Sequence, residues 1–140
     1  MKKVLILLLL FSTIGLKSYS QNSSVNDQQY IQLLSVYFKV NSTEIPQYRL
    51  ENLWDQGKYL SQINPCCKIL LTAYTDPYEF HRHGYKLSKI RVMKVINTLS
   101  SCGVNPNRFI VKYVSIDNLS PYINPQMRKI DMEIIEPIKN

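Results

Sequence analysis

Asp76 and Arg91 are the two residues whose types and spacing best suit a binding site. Asp76 follows an apolar, β-rich run that ends at Thr75, and Arg91 lies fifteen residues further on, in a segment with helical spacing. Open α/β sheets bind their ligands where a strand ends and the next loop begins. A guanidinium there can hold a carboxylate through two parallel hydrogen bonds, while a carboxylate accepts from an ammonium group. The pair therefore predicts a site for a zwitterionic ligand, unless Asp76 and Arg91 pair with each other or Asp76 caps the loop.

The loop between these two residues carries further polar and aromatic side chains. Arg82 could help to meet a peptide carboxylate, and Tyr78 could pack against a ligand. His81 and His83 have no acid or thiol partner at ligand spacing, so no metal site is predicted. No histidine stands at the spacing of a catalytic triad, and the sequence predicts neither catalysis nor a cofactor.

Alternating and helical hydrophobic patterns predict the element order β-α-β-α-β-β. The strands are expected at residues 36–40, 67–74, 108–115 and 129–134, and the helices at 46–63 and about 83–101, with a loop at 116–126. Gly57 is expected where the first helix approaches the sheet closely. Right-handed crossovers would place both helices on one face. The predicted fold is an α+β two-layer sandwich with two helices on a mixed four-stranded sheet.

The N-terminus has the pattern of a secretory signal. Two lysines precede an apolar run from Val4 to about Leu16, which is too short for a comfortable bilayer span and is followed by Ser18 and Ser20. Residues 1–20 are therefore expected to be a signal peptide, 21–30 a flexible leader and 31–140 one domain. No later segment is long and apolar enough to cross a membrane. The mature chain is expected to be soluble and exported.

The net charge of the chain limits the kinds of molecule that it is expected to bind. The whole chain has a formal net charge of +7. Loss of Lys2, Lys3 and Lys17 with the signal lowers the 17 basic side chains to 14, against 10 acidic ones, which leaves a net charge of +4. This mild positive charge, together with export, disfavours nucleic acid and fits a polyanionic or zwitterionic envelope component.

Three cysteines remain after processing, at positions 66, 67 and 102. An oxidising compartment favours a disulfide, and adjacent cysteines rarely bridge each other. We therefore expect Cys102 to pair with Cys66 or Cys67, since the second helix should return its end toward the start of the preceding strand.

The register of the site segment resembles a known signature. Five residues match the peptidoglycan-binding motif of OmpA-like C-terminal domains without a gap: Thr75, Asp76, Leu87, Ser88 and Arg91. The resemblance extends over nearly all of the mature chain. It includes the strand and Asn-containing turn YFKVNSTEI, the strand ILLTAYTD and the closing basic strand MRKIDMEI.

The resemblance implies an exported, non-catalytic module that binds peptidoglycan through the diaminopimelate of the stem peptide, in the periplasm or at the outer membrane. Asp76 would take the ammonium of that residue and Arg91 its carboxylate. Four positions depart from the family pattern, at Glu79, Gly84, Val92 and Met127, and the stretch SIDNLSPYINPQ replaces the family's Gly-containing segment after the third strand. The candidate ligand-binding residues are Asp76, Arg91, Thr75, Asn41, Leu87, Gly84, Tyr78 and Arg82.

The departures support a second hypothesis. Gly84 replaces the family's Asn, and losing that polar contact costs on the order of 1–1.5 kcal/mol, or about tenfold in affinity. The alternative function is thus an OmpA-like protein-interaction or structural domain of the envelope that has weakened or lost wall binding. A third class, a thiol oxidoreductase that uses Cys66 and Cys67, would need a lowered thiol pKa that nothing in the sequence prepares.

Overall fold

The computed structural model describes residues 30–115 and 124–136. The predicted signal peptide, residues 21–29 of the predicted leader and residues 116–123 of the predicted loop lie outside this range. The elements in chain order are β1 (Tyr30–Gln32), β2 (Val36–Tyr37), α1 (Gln47–Gln62), β3 (Lys68–Thr75), α2 (Pro77–His83), α3 (Lys86–Ser101), β4 (Phe109–Ser115) and β5 (Lys129–Ile135). Short 3-10 turns precede the last two strands.

β3 lies inside the sheet, between β4 and β5. It pairs with β4 in parallel from Ile69 opposite Phe109 to Thr75 opposite Ser115, and with β5 antiparallel. β1 and β2 both pair with the other edge of β5, which gives a mixed five-stranded sheet. α1 packs against α3, and α3 packs against β3. The predicted α+β fold with a mixed sheet is confirmed.

The core lies between the helices and one face of the sheet. Alternate residues of the inner strands point into it, and they meet a stripe of apolar residues from the two long helices. The fully buried members are Ile69, Leu71, Ala73, Ile130, Met132 and Ile134 from the sheet, and Leu53, Leu60, Val92, Val95 and Leu99 from α1 and α3.

The predicted first strand, at residues 36–40, is wrong in its bounds because a β-bulge divides the N-terminal strand. Gln32 and Val36 are four residues apart, whereas their partners Glu133 and Ile130 on β5 are three apart. One extra residue on this side therefore leaves the ladder. Leu34 is 62% exposed, and its N–H bonds to Oε1 of Gln56 on α1 at 3.0 Å.

The site segment also contains a helix that the sequence analysis placed in a loop. α2 begins at Pro77, directly after Asp76, which caps it, and ends at His83, with Gly84 as its C-terminal cap. A capping acid followed by proline in the first turn is a known start signal for a helix. The second long helix accordingly begins at Lys86 rather than near His83.

Arg108 fastens the end of α1 to the start of β3. Its side chain is 6% exposed and donates to the carbonyl oxygens of Leu60 at 2.6 Å, Cys67 at 2.9 Å and Asn64 at 3.3 Å. These carbonyls lie at a helix end and in the following turn, where no helical N–H can reach them. The buried guanidinium thus satisfies the backbone of this connection.

The predicted disulfide is not formed in the structure, in which all three cysteines are free thiols. The side chain of Cys102 instead lies against Gly57 on α1, where an added Cβ would be 2.8 Å from both Cβ and Sγ of Cys102. The expectation that Gly57 approaches the sheet is corrected by the same contact, because the close approach is between α1 and the end of α3. Among the described residues, no helix is long and apolar enough to span a bilayer.

We predict that Gly57→Ala lowers the free energy of unfolding by about 1–3 kcal/mol, because the new methyl group forces apart two packed helices. Urea denaturation followed by circular dichroism measures this effect. Asn52→Ala, at an exposed position of the same helix, is the control and should change the unfolding free energy by less than about 0.5 kcal/mol. Equal stability of the Gly57 variant and wild type would contradict the observed helix contact.

Candidate functional site

Asp76 lies at the C-terminal end of β3 with its side chain fully buried. Oδ1 accepts the N–H of Tyr78 at 2.7 Å, which caps α2. Oδ2 accepts the N–H of Asn124 at 2.7 Å and meets Nη1 of Arg128 at 3.3 Å. The alternative in which Asp76 acts as a cap therefore describes the observed geometry, and Arg128 supplies its ion pair.

Arg91 projects from the second turn of α3 into a buried position, where its side chain is 1% exposed. Nη1 and Nη2 bond to the two carboxylate oxygens of Glu79 at 2.8 and 2.7 Å. Nε donates to the carbonyl of Ser42 at 2.8 Å, and Nη2 also donates to that of Lys39 at 3.1 Å. The guanidinium carbon lies 4.9 Å from the centre of the Phe38 ring. Four of the five N–H donors of Arg91 are therefore used.

Glu79 is the partner that the sequence analysis missed. It lies in the first turn of α2, is fully buried, and its Oε1 accepts the N–H of Asn41 at 2.8 Å in addition to Arg91. Its position is one of the four that depart from the family pattern. Glu79 lies three residues after the capping Asp76, where a Glu of a capping box would bond to the N–H of the cap residue. Here it bonds to Asn41 and Arg91 instead, a role that the sequence spacing does not indicate.

Asp76 and Arg91 are thus each bonded to other groups. Asp76 is paired with Arg128, and Arg91 is paired with Glu79. The alternative in which Asp76 and Arg91 pair with each other is wrong. Both predicted site residues are buried, and each is already paired with an oppositely charged side chain of the same protein.

The remaining candidate residues surround these two pairs. Asn41 has a φ of 53°, and its Oδ1 lies 3.2 Å from Nε2 of His83. Arg82 donates to the hydroxyl of Tyr78 at 2.7 Å and lies over its ring. Thr75 and Leu87 are buried beneath the loop. Of the eight candidates, Asn41 and Arg91 therefore share the Glu79 network, while Asp76 and the N–H of Tyr78 belong to a separate network with Arg128.

Gly84 ends α2 with φ 54° and ψ −139°. This combination lies outside the left-handed helical region and is essentially restricted to glycine. A Cβ at this position would meet no atom within 4 Å, so the constraint is backbone strain and not space. The glycine that replaces the family's Asn is therefore required by the turn that joins α2 to α3.

Two titratable groups near the site have shifted pKa values. The hydrogen bond to Asp131 raises the pKa of Lys129, in a salt bridge of 2.8 Å beside the Tyr74 ring. Burial raises the pKa of Tyr113, whose ring contacts that of Tyr85. Neither group belongs to the buried pairs. Within residues 30–115 and 124–136, no three His, Cys, Asp or Glu side chains are grouped so as to hold a metal ion.

Several solved structures are similar to this one. The peptidoglycan-associated lipoprotein from Burkholderia pseudomallei is 22% identical, with a TM-score of 0.60 over 71% of this chain and 88% of that chain. The C-terminal domain of Helicobacter pylori MotB is 19% identical, with a TM-score of 0.62 over 75% and 86%. The OmpA-like domain of FopA1 from Francisella tularensis is 16% identical, with a TM-score of 0.57 over 84% and 79%.

These similarities define the class of fold. The chain has the fold of OmpA-like domains, as the sequence resemblance predicted. No family model and no curated protein matches the sequence. At identities below one quarter, the structural likeness extends to the fold alone.

We predict that Glu79→Ala lowers the free energy of unfolding by about 3–5 kcal/mol, because it leaves the buried guanidinium of Arg91 without its charge partner. Chemical denaturation measures the loss. Glu51→Ala removes an exposed glutamate of α1 and should cost less than about 0.5 kcal/mol. Similar losses for the two variants would mean that Glu79 is not held as described.

We further predict that Gly84→Asn, which restores the family residue, destabilises the domain by about 1–3 kcal/mol through backbone strain. His81→Ala, an exposed change on the neighbouring helix, is the control. Thermal and urea unfolding of both variants would reveal the difference. A Gly84→Asn protein as stable as wild type would contradict the positive φ at this residue.

Proposed function

We propose that this protein is a non-catalytic, peptidoglycan-associated module of the bacterial cell envelope, located in the periplasm or at the outer membrane. The fold, the register of Asp76 and Arg91 and the name of the peptidoglycan-associated lipoprotein among its structural neighbours support this role. The ligand would be the diaminopimelate of the stem peptide.

A single observation supports the proposed mechanism of ligand binding. The guanidinium of Arg91 already holds a carboxylate by two hydrogen bonds, and that carboxylate belongs to Glu79. The resemblance assigns the same guanidinium to the carboxylate of diaminopimelate. Glu79 therefore occupies the position of the ligand group, and a stem peptide must displace it to bind.

Displacement makes wall binding weak in the wild-type protein. A tethered group competes as if it were present at an effective concentration in the millimolar range or above. Arg91 is also buried, so a ligand must exchange one desolvated ion pair for another and gains little net free energy. The expected affinity for diaminopimelate is therefore lower than that of an otherwise equal site with a small residue at position 79.

The same ion pair favours the second candidate function. If Glu79 is never displaced, the chain is an OmpA-like protein-interaction or structural domain of the envelope that has lost wall binding. In that case Arg91 and Glu79 serve stability alone. The two candidate functions predict different effects on peptidoglycan binding when the carboxylate of Glu79 is removed.

We predict that Glu79→Ala binds a diaminopimelate-containing peptide at least about tenfold more tightly than wild type, because the tethered competitor is gone. Isothermal titration and sedimentation with purified peptidoglycan measure the gain. The peptide should also raise the unfolding midpoint of the variant more than that of wild type, since its carboxylate restores the partner of Arg91.

The control is the double variant Glu79→Ala with Arg91→Ala, which leaves no unpaired buried charge and should lose the gained binding. Glu51→Ala should bind as wild type does. Equal binding by the single and double variants would mean that Arg91 is not the ligand contact. Failure of wild type and Glu79→Ala alike to bind would favour the interaction domain.

A further inference from the structure

A second cluster of cationic groups lies on the other side of Arg128. Here Arg49 of α1 and Arg128, which precedes β5, line an open cavity of about 390 Å³. We name it the Arg49–Arg128 cleft, and its lining residues are Tyr37, Phe38, Arg49, Pro125, Gln126 and Arg128. None of these side chains is acidic. A cavity of this size lies within the usual range for small ligands, roughly 300–1,000 Å³.

Arg49 is held in place without a carboxylate. Its guanidinium carbon lies 4.7 Å from the Tyr37 ring centre and 5.1 Å from that of Tyr48. Within the described residues its only hydrogen bond is from Nη1 to the carbonyl of Ser35, at 3.4 Å, and its buried Nε has no partner. Two aromatic rings therefore fix a cation whose strong donors are largely unused.

Arg128 is also incompletely satisfied. Nη1 meets Asp76 at 3.3 Å and Nε meets the carbonyl of Phe38 at 3.4 Å, both longer than the 2.7–2.9 Å typical of charge-assisted hydrogen bonds. Asp76 has two shorter bonds from backbone N–H groups, so it does not depend on Arg128 for its hydrogen bonding. Within the described residues Nη2 of Arg128 makes no hydrogen bond, so its N–H groups remain for a ligand in the cleft that Arg128 lines.

Arg49 and Arg128 bring two positive charges to one cavity, and among the described residues the only carboxylate that meets either of them is that of Asp76, at 3.3 Å from Arg128. Planar guanidinium groups match the oxygen geometry of carboxylate and phosphate, and each can donate two parallel hydrogen bonds. Gln126 adds a neutral amide and Tyr37 an aromatic wall. The lining therefore fits an oxyanion that is attached to a larger polar molecule.

We propose that the Arg49–Arg128 cleft binds an oxyanion, either a carboxylate or a phosphate, carried by an anionic component of the cell envelope. This inference goes beyond the proposed wall contact at Arg91, and only the envelope source of the anion rests on the proposed function. The cleft uses different arginines, and neither of them is bonded to Glu79.

The test is titration of the wild-type protein with inorganic phosphate and with acetate, followed by NMR chemical shifts and isothermal titration. Saturable binding is expected for at least one of these anions, with the largest shifts at Tyr37 and Gln126. Arg49→Gln should weaken that binding at least tenfold. Arg49→Lys, which keeps the charge but loses the planar fork, should give an intermediate loss.

Lys58→Gln is the matched control, because it removes one positive charge from an exposed position of the same helix as Arg49. It should bind the anion as wild type does. Circular dichroism checks that the Arg49 variants are folded. A stronger response to phosphate would identify a phosphate-bearing polymer or headgroup as the source, and a stronger response to acetate a peptide carboxylate.

Two results would overturn the proposal. Equal weakening by Lys58→Gln and Arg49→Gln would mean diffuse attraction to a basic surface. Absence of saturable binding of either anion by wild type would mean that the two arginines form no site. Because these probes contain no diaminopimelate, failure here leaves the wall contact at Arg91 to be judged by its own titration.

Discussion

The buried pair of Arg91 and Glu79 is the constraint around which this end of the molecule is built. A guanidinium that is 1% exposed is tolerated only if nearly every donor is bonded. Its acceptors come from two separate segments: α2 supplies Glu79, and the chain between β2 and α1 supplies the carbonyls of Lys39 and Ser42. The pair therefore fixes where α2 and the β2–α1 loop lie relative to α3.

The Arg91–Glu79 pair also shows that a residue can match a binding motif without lying in an open binding site. Motif matching identifies Arg91, which lies on α3, yet it cannot tell which carboxylate the guanidinium meets. That partner lies twelve residues away in sequence, and it is turned inward only because α2 forms. A residue that looks like a departure from the family pattern is thus the one that satisfies the central charge.

The sequence predicts the fold where hydrophobic periodicity is regular. The alternation of Ile130, Met132 and Ile134 and the apolar run of β3 gave the sheet its inner strands. The sequence-based predictions failed at particular places, and each failure has a physical reason. The bulge at Leu34 depends on an N–H that finds a side chain on α1, and α2 is too short to show a period. Glu79 was named only as a mismatch, because inward rotation of a polar side chain has no periodic signal.

The arginines of this domain differ in how many of their N–H donors already bond to the protein. This difference ranks them as binding positions for an external anion. Arg91 uses four of five donors in short bonds, and Arg108 uses three on carbonyl groups. An anion can reach these only by replacing existing bonds. Arg49 makes one long bond in the described structure, and aromatic contacts hold it without satisfying its N–H groups. A donor without a protein partner can bond to an oxyanion without breaking an internal hydrogen bond. We therefore expect an incoming oxyanion to gain more at Arg49 and Arg128 than at Arg91, the residue that the motif singles out.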